Sequence, residues 1–249
     1  TPYEPMLDSR RTSQTWGPYF DASVNVMTNL TLGAGVRYDK GDFDGSRMSP
    51  RASLIYKPVA PTTIKLLYGE AFRAPNSYER FYSDGLTQIG NTALRPETID
   101  TYEVVLEQEL GEHFKASVAG YVYFVDDLID QELDPDGFLV YQNLEHVRGR
   151  GLEFELSSRF AHGVRGRLSY TLQETKSWDT SATGAGGDEA GELSNSPHQL
   201  IQGGISFPIY EEKIFSGVDF RYVSGRTTAL GTDVPAYFVV NLTLFSHRF

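Results

Sequence analysis

Hydrophobic and polar residues change places at every second position along most of this chain. Over residues 30–38 the even positions are Leu30, Leu32, Ala34, Val36 and Tyr38, and the odd ones are Thr31, Gly33, Gly35 and Arg37. Over 101–110 the even set is Tyr102, Val104, Leu106, Gln108 and Leu110, facing Thr101, Glu103, Val105, Glu107 and Glu109. The even apolar stripe returns at Phe114, Ala116, Val118, Val122 and Phe124, and again at Val164, Leu168, Tyr170 and Leu172. Successive side chains on a strand point to opposite faces, so each segment is a strand with one apolar and one polar face. The pattern predicts about eleven strands, at roughly 15–26, 29–39, 48–58, 62–73, 98–110, 113–131, 138–160, 163–177, 197–208, 212–226 and 235–248. Helical periodicity is not sustained anywhere.

The predicted connections alternate in length. Short ones fall at 27–29, 59–61, 111–112, 161–162 and 210–211, and longer ones at 40–47, 74–98, 132–137, 178–196 and 227–234. Short periplasmic turns and long external loops are the asymmetry of an outer-membrane barrel. A soluble sandwich also alternates, with the apolar face inside and the charges outside. Strand length separates the two. A segment such as 138–160 is far longer than the five or six residues of a typical globular strand, whereas a tilted membrane strand needs about nine to eleven. The expected fold is therefore all-β, an antiparallel up-and-down transmembrane barrel wall whose charged face, with Glu103, Glu107, Glu153, Arg165 and Arg167, meets a wet lumen. Tyr38, Tyr56, Phe72, Tyr102, Phe124, Phe160 and Phe207 stand near strand ends, where interfacial rings gather; strand propensity also explains many of them.

Composition narrows the function. The 249 residues contain 22 Lys and Arg against 33 Asp and Glu, a formal charge of −11, which argues against nucleic acid as a partner. There is no cysteine, so disulfides and thiolate metal sites are excluded. No apolar run is long enough for a transmembrane helix. The opening residues TPYEPMLDSRR have no signal-peptide character, so the chain is either cytoplasmic or a fragment of something longer.

One stretch breaks the alternation in a specific way. In LLYGEAFRAPNSYERFY (66–82) the strand stops at Arg73, Ala74, Pro75 and Asn76, and after an irregular run GNTALRPETIDTYEVVLEQEL (90–110) leads back into a strand. With GYVYFVDDLI (120–129), YQNLEHVRGRGLEFEL (141–156) and VPAYFVVNLTL (234–244), this resembles the β-barrel domain of TonB-dependent outer-membrane receptors over nearly the whole chain. The matching residues are Phe72, Arg73, Pro75 and Asn76, then Gly90, Asn91, Leu94, Pro96 and Glu97. Their expected roles are structural. Pro75 ends ladder pairing, Gly90–Asn91 offers a turn that tolerates positive φ, and Pro96 fixes the entry to the next strand.

The resemblance implies a twenty-two-stranded barrel around an N-terminal plug, with residues 1–249 as about half of the barrel. It implies a receptor in the outer membrane of a Gram-negative cell. Such a receptor binds a scarce nutrient, an iron–siderophore complex or cobalamin, and imports it with energy from the TonB–ExbB–ExbD complex acting on the plug. A passive channel or adhesion barrel without a plug is the alternative. Phe249 is out of phase with the final apolar stripe of Phe238, Val240, Leu242 and Leu244, so the chain is expected to be an internal piece lacking the last two strands.

No catalysis, resident cofactor or metal is expected. His198 follows Ser194 and Ser196, but serine near histidine in a loop is common. Asp126, Asp127, Asp130, Glu132, Asp134 and Asp136 lack the spacing of a calcium loop and read as a solvated tip. The GAGG within residues 181–192 has no following lysine or helix and reads as a flexible loop. Ligand contact is left to Tyr78, Phe81 and Tyr82 in the longest loop, against the plainer reading that these rings pack the loop onto itself.

Overall fold

The computed structural model describes residues 12–42, 45–179, 191–211, 213–228 and 231–246. In chain order the strands are β1 (Thr15–Trp16), β2 (Tyr19–Met27), β3 (Leu30–Gly41), β4 (Gly45–Val59), β5 (Thr62–Arg73), β6 (Gln88–Ile89), β7 (Glu97–Leu110), β8 (Phe114–Leu133), β9 (Leu139–Arg159), β10 (Arg165–Asp179), β11 (Gln199–Tyr210), β12 (Ile214–Val223), β13 (Arg226–Thr227), β14 (Asp233–Val234) and β15 (Tyr237–Ser246). A short helix α1 (Ser77–Phe81) and a 3₁₀ turn at Ala161–Gly163 complete them. The strands of nine residues or more are the eleven that the alternation predicts. Thirteen strands form one sheet in the order β1-β3-β4-β5-β7-β8-β9-β10-β11-β12-β15, with β2 also on β3 and β6 on β9; β13 and β14 pair separately. Every long neighbour pair is antiparallel.

Three boundaries differ from expectation. The first strand is split at Gly17–Pro18, because proline has no donor for the ladder. Both halves nevertheless keep one register on β3, with Trp16 opposite Lys40 and Tyr19 opposite Arg37. The loop expected at 40–47 is shorter, since β3 and β4 continue pairing to Gly41 and Gly45. The 74–96 connection holds α1 and β6 rather than being wholly irregular.

Register confirms the two faces. One row of directly opposed residues runs Val24, Leu32, Leu54, Leu66, Val104, Gly120, Leu152, Leu172 across eight strands. The row climbs from three residues before the end of β2 to seven residues past the start of β10. Such a climb is the strand tilt that a barrel wall requires. On the opposite face the charged residues pair: Arg51 with Asp21 at 2.6 Å, Lys65 with Glu107 at 2.8 Å, Lys115 with Glu107 at 3.2 Å and Arg167 with Glu155 at 2.6 Å. Asn241 also donates to Asp219 at 2.7 Å. All of these are odd-numbered, as the alternation requires. The exposed pairs among them, Arg51–Asp21 and Arg167–Glu155, contribute only about 0–1 kcal/mol each, so they mark a polar face more than they stabilise it. On the same face the Tyr121 and Tyr123 rings stack 6.2 Å apart over Gly151 and Gly149, their partners across β8 and β9. A β-carbon on Gly151 would stand 2.6 Å from the Tyr121 hydroxyl oxygen.

Nothing among the described residues covers the apolar face. The buried hydrophobic residues are Leu94, Ile129, Val147, Phe215 and Val223, none of them in the apolar row, while Val104 is 52% and Leu152 58% exposed. A sandwich would bury that row against a second sheet, and here it stands open. Among the described residues no helix is long and apolar enough to cross a membrane, which bears on helical crossing only.

Candidate functional site at the long-loop rim

β8 and β9, at 20 and 21 residues, are roughly ten residues longer than a tilted membrane strand needs, or about 30 Å of extra ladder. The 74–96 loop docks against this extension. β6 adds to β9 in parallel, with Gln88 opposite Leu139 and Ile89 opposite Val140. Asn91 donates to the Tyr141 carbonyl at 2.8 Å. Asn143 accepts from the Arg95 amide at 2.8 Å and donates to the carbonyls of Arg95 and Asp127 at 2.9 and 2.7 Å. Asp127 sits at φ 59°, beside the register shift on β8, and its carboxylate pairs with Arg95 at 2.5 Å.

The motif residues converge at the base of this loop. Arg73 and Glu97 are the last rung between β5 and β7. The Arg73 guanidinium donates twice to Glu97, both at 2.6 Å, and again to Glu79 at 3.0 and 3.2 Å. Glu97 also accepts the Ile129 amide of β8 at 2.7 Å. Asn76 caps α1 by accepting from the amides of Tyr78 and Glu79, both at 2.9 Å, while Glu79 accepts the Asn76 amide at 2.8 Å. This reciprocal capping box satisfies donors that a helix start leaves open. Pro75 lies just beyond the last rung, and Leu94, Pro96 and Glu97 are buried as the chain re-enters the sheet.

Gly90 serves differently from the expected turn. Neither Gly90 nor Asn91 has positive φ. A β-carbon on Gly90 would stand 2.7 Å from the Arg80 carbonyl oxygen, so glycine is required there by close backbone approach. Glu79, the hub of the network, was not among the expected residues. Its signal was the Asn76-x-x-Glu79 spacing of a capping box before Phe81 and Tyr82.

Of the three expected ligand contacts, Tyr78 and Tyr82 are brought together. The Tyr78 and Tyr82 rings stack at 4.4 Å, and Tyr141 of β9 meets Tyr78 edge-on at 6.3 Å. The Tyr78 hydroxyl donates to Gln88 at 3.1 Å. The buried Gln88 amide nitrogen has no acceptor among the described residues. Loss of hydration pushes the Tyr82 and Tyr141 hydroxyls above their ordinary range, keeping both neutral. Tyr78 stays 45% exposed. The rings therefore pack the loop on itself and still present one aromatic face outward. Beside them Asp84 accepts from the Thr87 hydroxyl and the amides of Thr87, Gln88 and Leu86, which hold its carboxyl well below the usual range.

The other candidates separate. Ser196 donates to the Thr175 hydroxyl at 3.1 Å, while His198 faces Glu192 at 3.0 Å and the Gln173 carbonyl at 3.0 Å. Among the described residues neither Ser194 nor Ser196 bonds to His198. The acidic hairpin divides its carboxylates among different partners. Asp126 meets His146, Asp127 meets Arg95, and Asp134 accepts the Asp136 and Phe138 amides that close the turn. Among the described residues no group of three metal-ligating side chains forms. The GAGG segment, His247 and Phe249 lie outside the described residues. Of the girdle candidates, Tyr102 packs on Tyr68 at 5.0 Å, and Phe160 packs on Phe114 and His113 at 5.4 and 5.0 Å at the short-turn end.

A one-layer sheet with an uncovered apolar face, a charged opposite face and loops elaborated on one edge defines a membrane barrel wall. The family model described as TonB dependent receptor-like, beta-barrel matches residues 1–249; the chain belongs to the TonB-dependent receptor family, whose barrels are outer-membrane proteins. The vitamin B12 transporter BtuB of Vibrio cholerae is 32% identical over 145 residues, covering 57% of this chain and 22% of that protein. The heme/hemopexin utilization protein C of Haemophilus influenzae is 26% identical over 86% of this chain and 34% of its own length. The siderophore receptor PirA of Acinetobacter baumannii superposes with a TM-score of 0.74 at 17% identity, over 94% of this chain and 39% of that one. The FrpB iron transporter of Neisseria meningitidis gives 0.69 at 16%, over 92% and 38%. The chain thus spans between a fifth and two fifths of the relatives it matches.

Proposed function

We propose that residues 1–249 form about half of the wall of a twenty-two-stranded receptor barrel in the outer membrane of a Gram-negative cell. The complete protein binds a scarce nutrient at the cell surface and imports it. The nutrient classes are those of the relatives: a ferric siderophore, cobalamin or heme. The energy comes from the TonB–ExbB–ExbD complex acting on a plug held against the odd-numbered polar face. The observation that carries this reading is the family match along the whole chain, together with a sheet whose two faces suit lipid and a filled polar lumen. In lipid both sheet edges require partner strands, which the remainder of the barrel supplies. The rim built on Arg73, Glu79 and Glu97 holds Tyr78 and Tyr82 at the surface as ligand contacts. Barrel and loops perform no chemical transformation, and the nutrient arrives unchanged.

The test is uptake of labelled ferric siderophore, heme and cobalamin by cells that rely on the full-length protein. Accumulation of one class that collapses with a protonophore, while surface binding persists, is the expected result. Accumulation insensitive to the proton gradient indicates a passive channel, and binding without accumulation indicates adhesion; either overturns the proposal.

A further inference from the structure

On the polar face a recess of about 430 Å³ opens at the long-loop end, where β11, β12, β13 and β15 meet. Register fixes its floor. Gln202 stands opposite Ser169 and Arg221, and Arg221 opposite Val239, so these four share the polar face. The next rung on that face is Leu200, Val223 and Tyr237. Leu200 and Val223 make the floor apolar, and Val223 is buried. Asn195, from the connection before β11, and Arg226 of β13 complete the polar lining.

The polar groups of this recess lack partners. Arg51, Lys65, Lys115 and Arg167 of the same face are all ion-paired. Neither the Arg221 nor the Arg226 guanidinium has a hydrogen-bond or ion-pair partner among the described residues, and neither does the side-chain amide of Asn195 or Gln202. The carboxylates nearby are held by other groups. Asp219 accepts from Asn241 at 2.7 Å, Asp233 accepts from the Thr227 hydroxyl at 3.2 Å, and Glu192 faces His198 at 3.0 Å. Arg221 and Arg226 are the charged residues of the lining, so the recess is cationic over an apolar floor.

We propose that this recess takes a carboxylate of the nutrient, carried on a short hydrocarbon arm. A guanidinium fork matches the two oxygens of a carboxylate. The Asn195 and Gln202 amides add neutral donors, and Leu200 and Val223 receive the methylenes of the arm. A volume of about 430 Å³ lies toward the small end of the roughly 300–1,000 Å³ of complete ligand pockets, so the recess admits one arm of a ligand and not a whole metal complex. Of the nutrient classes of the relatives, this chemistry selects heme, with its two propionates, and siderophores bearing free carboxylates. It selects against cobalamin, whose arms end in neutral amides. The proposal rests on the import function proposed above and adds a second contact, on another sector of the wall, to the Tyr78–Tyr82 stack.

The experiment is equilibrium binding to the purified full-length protein, with hemin, ferric citrate, ferric enterobactin and cyanocobalamin as probes. The expected result is that hemin or ferric citrate binds most tightly, with an affinity that falls as salt is raised. Arg221→Gln and Arg226→Gln each lower that affinity roughly tenfold. Arg221→Lys, which keeps the charge without the fork, falls between. Arg165→Gln removes a cation from the same face at the short-turn end and leaves the affinity unchanged. Tightest binding of cyanocobalamin or ferric enterobactin overturns the site while leaving import standing. An affinity for hemin or ferric citrate that is unchanged in Arg221→Gln/Arg226→Gln does the same. An equal loss in Arg165→Gln also overturns it, because overall charge then accounts for the effect. Binding of none of the four probes overturns it as well, and import itself is read separately by the uptake of labelled nutrients.

Discussion

Replacing Arg73 by alanine removes the cation that Glu79 and Glu97 share. Both carboxylates are nearly buried, at 10% and 11% side-chain exposure, and each keeps a backbone amide as its remaining donor. Removing one partner of a fully buried ion pair costs about 3–5 kcal/mol, because a charge is left uncompensated. Arg73 itself is 45% exposed, and solvent screens the part that faces outward. We therefore expect about 2–3 kcal/mol, expressed locally as opening of the 74–96 loop from the β8–β9 hairpin. The readout is hydrogen exchange in the full-length protein at the amides of Tyr82 and Asn91, which bond to the carbonyls of Tyr78 and Glu79. Exchange there should accelerate about 30- to 140-fold. Amides of the β3–β4 ladder should be unaffected. Arg73→Lys keeps the charge but not the fork and should fall between the two. Unchanged exchange at Asn91 in Arg73→Ala would show that the ion pairs do not hold the loop.

Gly90→Ala should force Arg80 and Gly90 apart at a cost of about 1–3 kcal/mol, read as faster tryptic cleavage within 74–96. Val104→Arg places a charge on the lipid-facing row and should cost about 2–4 kcal/mol in urea unfolding from bilayers, whereas Val105→Arg on the polar face should cost little. His198 is protonated more readily than an ordinary histidine, chiefly because Glu192 accepts from it and then because the Gln173 carbonyl does. The contact between Glu192 and His198 therefore stabilises the fold fully below the unfolded value of 6.5 and loses that effect as pH rises through the raised folded value. An NMR titration of His198 should show a midpoint above 6.5 that returns toward it in Glu192→Gln.

The strands were legible because period two persists wherever one face meets an apolar medium and the other water. Leu32, Leu54, Leu66 and Leu172 announce one row without any knowledge of register. The exact ends were not legible at Gly41 and Gly45 or at Leu133 and Leu139. Beyond the membrane both faces are wet, so pairing continues with no alternation to reveal it. The role of Gly90 was hidden because a close approach depends on Arg80, ten positions earlier, and glycine looks alike whether it serves conformation or space. Arg73 and Glu97 were visible only as parts of a motif. That they share a rung, and that Glu79 joins them, depends on the register of β5 with β7 and on α1 turning back over the strand end.

The most direct test of the central claim is a scan of lipid and water accessibility along β7 and β9. This chain has no cysteine, so once any cysteine elsewhere in the full-length protein is replaced, spin labels placed singly from 101 to 106 and from 150 to 155 report one position each. The account predicts period-two alternation in the full-length protein in bilayers. Oxygen collisions should be high at 102, 104, 106, 152 and 154 and low at the odd positions between them. A water-soluble relaxant, or contact with a plug, should govern the odd positions. Equal oxygen accessibility at 103 and 104, or protection of both Val104 and Leu152 from lipid, would contradict the reading of this sheet as a membrane barrel wall.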